Sequence, residues 1–139
     1  MNEKVTMKWT KDMSFYADVN GHKITIDATN EAGGNDRGPR PKPMILLALG
    51  GCTGIDVVSI LKKMRVKLDD FNVDIEASTT NEHPKYYDHF IITYTFKGKN
   101  LPMAKLEKAV NLSQERYCGV SEMLRKSSTL DHKIIVVEE

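Results

Sequence analysis

The chain has 139 residues, a length that suits one compact domain with a usable core. Its 20 basic and 19 acidic side chains nearly cancel, which excludes the basic field expected of a nucleic-acid binder. The first residues are polar and carry no apolar h-region, so a cytoplasmic setting is expected rather than secretion. In a reducing compartment a pair of cysteines is more often catalytic or sensing than structural.

The first third reads as a β-meander, with strands expected at residues 5–9, 14–19 and 23–28. Asn20-Gly21 is a two-residue hairpin signal, because both residues tolerate positive φ. The apolar residues of Ile24-Thr25-Ile26-Asp27-Ala28 alternate, which marks a sheet with one buried face. Residues 30–42 form a loop, with Gly33-Gly34, Asn35-Asp36 and prolines at 39, 41 and 43. The prolines hold the residues before them extended.

Pro43 suits the first turn of a helix, where its missing N–H costs little. A long helix is expected from there to about Arg65, its basic end (Lys62, Lys63, Arg65) complementing the helix dipole. Residues 44–61 are almost wholly apolar. The segment is near the minimum length for a membrane span, but it contains Asp56 and is dense in glycine, which favours a buried helix of a globular domain. Gly50, Gly51 and Gly54 strip bulk from the surroundings of Cys52 at a cost of up to about 1 kcal/mol each. Close approach by the sheet or by a second subunit would justify that cost.

Residues 71–79 and 87–97 predict a second hairpin, the first strand alternating well through Phe71, Val73, Ile75 and Ala77. A helix from about Leu101 to Tyr117, a short helix from Cys118 to about Lys126 and a last strand at 134–137 complete the order. That order, βββ-α-ββ-αα-β, argues for α+β architecture in a single domain, residues 1–139.

Cys52 and Cys118 lie far apart in the chain and form no CxxC pair. Taken alone, Cys52 is either a small core residue or a nucleophile in an unfavourable setting. Apolar surroundings raise a thiol pKa, and Asp56 one turn on would raise it further. Cys118 starts a short helix, where free N–H groups favour an anion, with Arg116 and Arg125 nearby in sequence. The four histidines lack HxxH or HxxxH spacing, so no metal site and no cofactor are expected.

A proline-rich loop leads into Leu49-Gly50-Gly51-Cys52-Thr53-Gly54-Ile55-Asp56-Val57-Val58, and a second cysteine stands in Cys118-Gly119-Val120-Ser121. With the Glu82-His83-Pro84 turn, this pattern resembles the OsmC/Ohr family of thiol-dependent hydroperoxide reductases, in its OsmC-like branch, across essentially the whole chain. The resemblance implies an intertwined α+β homodimer. Cys52 would attack the peroxide O–O bond, Cys118 would resolve the resulting sulfenic acid as a disulfide, and an external dithiol would reduce it.

Peroxidatic members also carry a Pro-Glu pair before the apolar helix and an N-terminal arginine. Here the matching stretch is Arg40-Pro41-Lys42-Pro43-Met44, and the N-terminal hairpin offers Lys8 and Lys11 but no arginine. Arg37 and Arg40 are therefore the candidate substrate-binding cations. The departures leave two alternatives open, a small-ligand-binding protein without peroxidase activity and a thiol sensor or disulfide-exchange protein. Neither nucleic acid nor membrane is expected as a partner.

Overall fold

Asn20 and Gly21 reverse the chain with φ of 51° and 84°, the left-handed geometry that a tight two-residue hairpin requires. The computed structural model describes every residue, Met1–Glu139, and its backbone separates into two units, Met1–Ile45 and Leu46–Glu139. In the first, β1 (Lys8–Lys11), β2 (Ser14–Val19) and β3 (His22–Ile26) form an antiparallel sheet in that order. Tyr16 faces Thr25 and Ala17 faces Ile24 across the β2–β3 ladder. The first strand starts at Lys8 rather than at residue 5. Val5 and Met7 alternate like a strand, but the ladder to β2 begins only with Lys8 opposite Tyr16.

The loop after β3 is organised around Asp27, which is 2% exposed. Its carboxylate accepts N–H groups from Ala28 (2.7 Å), Asn35 (3.2 Å) and Arg37 (3.1 Å). Burial alone would raise its pKa, but these three donors and the Arg37 charge outweigh burial and hold the carboxyl below its ordinary value. Two glycines make the wrap possible. A Cβ on Gly34 would lie 2.3 Å from the Ala28 carbonyl oxygen, and one on Gly38 would lie 2.2 Å from that of Thr25.

Helix α1 (Met44–Lys63) follows. Leu49, Thr53, Val57 and Leu61, four residues apart, form its buried row. Its length and composition would also suffice to cross a membrane. Gly50 and Gly54 face the second sheet: a Cβ at Gly50 would lie 3.2 Å from Ile75, and one at Gly54 3.5 Å from Val73. The glycines therefore admit strand side chains. The other side of the helix is open, with Leu47, Ile55 and Val58 exposed by 66%, 74% and 47%. Burial of the helix is thus confined to one side.

The second unit carries a mixed sheet in the order β4 (Asp70–Thr79), β5 (Tyr87–Gly98), β6 (Thr129–Glu138). β4 and β5 are antiparallel, while β6 lies parallel to β5, reached through α2 (Met103–Leu112) and α3 (Gly119–Arg125). A parallel neighbour needs such a crossover. Strand β6 is longer than the apolar run at 134–137 because its polar half, Thr129 to Lys133, pairs with His89 to Thr93. Alternate residues of β5, Phe90, Ile92, Tyr94 and Phe96, are fully buried and meet Leu49, Val57, Leu106 and Val110 in one core. This confirms the α+β class and the order of elements.

One irregularity shapes the site. The helix expected to run to Tyr117 ends at Leu112, and Ser113–Tyr117 widens into a π-turn closed by the Cys118 N–H on the Ser113 carbonyl (2.8 Å). Such widened turns re-aim side chains and recur at functional sites.

Candidate functional site

Cys52 is half-buried on α1, between Gly51 and the fully buried Thr53. Cys118 is the N-cap of α3. Its extended backbone (φ −77°, ψ 100°) brings Sγ under the first turn, where it accepts the Ser121 N–H at 3.4 Å. Both cysteines are free thiols, and Cys118 is 3% exposed. The fold brings them together: Cys52 Sγ, Cys118 Sγ and the Asp56 carboxylate all lie within 4.8 Å of one another. Cys118 and the Val120 N–H both act on the Cys52 thiol.

The electrostatics favour a protonated Cys52. Burial pushes its pKa up, the hydrogen bond and charge of Cys118 add to this, and Asp56 contributes in the same sense; the Val120 N–H acts against them. Asp56 sits one helical turn beyond Cys52. It is held by the Ser113 hydroxyl (3.0 Å) and lines a cavity of about 540 Å³ with Ile60, Lys63, Leu112 and Tyr117.

Behind the thiols lies a buried polar network. Thr53 Oγ1 is 2.7 Å from Tyr94 OH and 2.7 Å from Ser113 Oγ. Gln114 Nε2 donates to Tyr94 OH (2.8 Å) and to Thr53 Oγ1 (3.2 Å). Arg125 donates to the Gln114 carbonyl oxygen at 3.0 Å, closing the π-turn onto α3. Burial raises the Tyr94 pKa, against the two hydrogen bonds, so the phenol stays neutral. The Ser121 hydroxyl is also buried and has no hydrogen-bond partner. Arg125, a sequence neighbour of Cys118, thus braces the backbone, and Arg116 is exposed.

Arg37 and Arg40 belong to the other unit. Arg37 is exposed and contributes its backbone N–H to Asp27. Arg40 pairs with Asp36, while its Nη1 is buried without a hydrogen bond. Its side chain lines an apolar cavity of about 680 Å³ with Met7, Met13, Phe15 and Ile26. Sequence reasoning missed Thr53, Tyr94, Ser113 and Gln114. The one available signal was Thr53, a polar residue inside the most apolar helix, directly after Cys52.

Comparison with known proteins agrees with this fold. The family described as OsmC-like protein matches residues 33–133. The chain is 36% identical to Protein YhfA of Escherichia coli over 132 residues, covering 94% of this chain and 96% of that one. The crystal structure of a hypothetical protein from Aquifex aeolicus superposes with a TM-score of 0.87 at 29% identity, over 100% of this chain and 98% of that one. The organic hydroperoxide resistance protein OhrB of Bacillus subtilis shares the fold, with a TM-score of 0.65 at 18% identity over 99% of this chain and 98% of that one. Matched by this family model over most of its length and by a relative at 36% identity, the chain belongs to the OsmC-like family.

Proposed function

We propose that this protein is a thiol-dependent peroxidase that reduces organic hydroperoxides through Cys52 and Cys118. The observation that carries the reading is the approach of the two sulfurs within 4.8 Å. The family, and the fold shared with hydroperoxide resistance proteins, support a redox or peroxide-related role.

In this reading the Cys52 thiolate attacks the distal peroxide oxygen. The O–O bond breaks, Cys52 becomes a sulfenic acid, and the alkoxide takes a proton to leave as an alcohol. Cys118 then attacks the sulfenic sulfur, forming the disulfide and releasing water. An external dithiol restores both thiols by exchange, and the cycle calls for no cofactor. The cavity beside Asp56 is the route for the substrate.

The cytoplasm supplies the reducing setting that the cycle needs. The exposed stripe of Leu47, Ile55 and Val58 supports a homodimer, because an open apolar stripe of this kind is characteristic of an interface. The raised pKa of Cys52 favours a second reading, a protein that forms the same disulfide slowly as a sensor or exchange partner.

The test is hydroperoxide consumption by reduced protein with a dithiol, beside Cys52→Ser and Cys118→Ser. Fast turnover lost in Cys52→Ser supports the peroxidase. Disulfide formation without turnover supports the sensor, and turnover undiminished in Cys52→Ser rejects both.

A further inference from the structure

The cluster that places two sulfurs and a carboxylate together has a chemistry apart from peroxide. We infer that Cys52 Sγ, Cys118 Sγ and the Asp56 carboxylate form a binding site for Zn²⁺ in the reduced protein. The donor set is the first reason. Two thiolates with one carboxylate select a borderline-soft cation over Mg²⁺ or Ca²⁺, which take all-oxygen sites.

Geometry is the second reason. Zinc bonds of about 2.3 Å to sulfur in a tetrahedron place two sulfurs about 3.8 Å apart. The three donor atoms already lie within 4.8 Å of one another, so the cluster closes on the ion by side-chain rotation. Two of its members, Cys52 and Asp56, sit one turn apart on the same helix, and the third caps α3.

The surroundings supply the outer support that such ligands need. The Ser113 hydroxyl donates to Asp56 Oδ2 (3.0 Å) and is itself tied to Thr53 (2.7 Å), which fixes the carboxylate. The Ser121 backbone N–H reaches the Cys118 sulfur at 3.4 Å, a donor that a metal-bound thiolate retains. Asp56 also lines the cavity beside α1, through which an ion and its remaining water ligands reach the site. Binding replaces two S–H protons by two Zn–S bonds and releases two protons, with no change of oxidation state. The histidine spacing that argued against a metal does not bear on this cluster.

The experiment titrates reduced protein with Co²⁺, whose thiolate complexes show sulfur-to-metal charge-transfer absorption, and then displaces it with Zn²⁺. The expected result is one equivalent bound per chain, lost in Cys52→Ser and Cys118→Ser and weakened at least roughly tenfold in Asp56→Asn. Protein oxidised to the disulfide should take up none. A second measurement uses the unaltered protein, so that a misfolded variant cannot decide the matter: Zn²⁺ should slow alkylation of both cysteines at least tenfold, and a chelator should restore it.

No charge-transfer band at equimolar Co²⁺, affinity unchanged in Asp56→Asn, or alkylation indifferent to Zn²⁺ would overturn the site. Neither readout involves hydroperoxide, so loss of the peroxidase reading leaves this result standing.

Discussion

Thr53 and Tyr94 are joined by a 2.7 Å hydrogen bond that links the helix carrying Cys52 to the central strand β5. Both residues are fully buried, and Gln114 completes the set by donating to each. The network holds α1, β5 and the π-turn in one arrangement behind the thiols. Tyr94→Phe removes the shared hydroxyl and leaves Thr53 and Gln114 short of a partner away from water. Stability should fall by about 1–3 kcal/mol. Urea unfolding followed by far-UV circular dichroism checks this, and an unchanged midpoint would show that the network contributes nothing.

The two thiols should form one intramolecular bond. One equivalent of an organic hydroperoxide added to reduced protein should give a Cys52–Cys118 peptide in non-reducing digests, lighter by two hydrogens. In Cys118→Ser the oxidised Cys52 has no resolving thiol and should be trapped by a sulfenic-acid reagent. A Cys118 sulfenic acid in Cys52→Ser, formed at the same rate, would reverse the assignment of roles.

Reactivity of Cys52 should depend on pH in a direction set by its environment. Burial, Cys118 and Asp56 raise its pKa above the ordinary thiol value, so the thiolate is scarce at neutral pH and alkylation accelerates as pH rises through the raised value. Asp56→Asn removes one negative charge, moving the curve to lower pH. The neutral-pH alkylation rate should rise roughly two- to fivefold. A slower reaction in the variant would mean that Asp56 activates the thiol.

The loop around Asp27 offers a test in the first unit. Its carboxyl is held below the ordinary value, so the charged form is favoured by folding. That stability is present above the unfolded carboxyl pKa and is lost as pH falls through the lower folded value. Asp27→Ala should therefore lower the melting temperature at neutral pH, with the gap to the parent protein narrowing in acid. A gap that persists unchanged at low pH would assign the effect to packing.

Ile55 is the most exposed large apolar residue of α1. If a second copy covers the stripe, Ile55→Lys places a charge inside that interface and should reduce the protein to single chains. Light scattering coupled to size exclusion reads the mass directly. An unchanged mass across a wide dilution series would show that this face takes no part in assembly.

Local structure was legible in the residues wherever a short-range rule was sufficient. Asn20-Gly21 dictated the β2–β3 hairpin, alternation through Phe71, Val73, Ile75 and Ala77 dictated β4, and the run after Pro43 dictated α1. The sequence also picked out Cys52 and Cys118, through their neighbours rather than through any contact. What surrounds them follows from packing. The π-turn that faces Ser113 and Gln114 inward has no periodicity distinct from a helix, and Thr129 to Lys133 are too polar to read as strand until β5 pairs with them. Thr53 meeting Tyr94, and two distant sulfurs meeting Asp56, depend on how α1, β5 and α3 pack. Such contacts arise from long-range burial, which a residue's sequence neighbours do not encode.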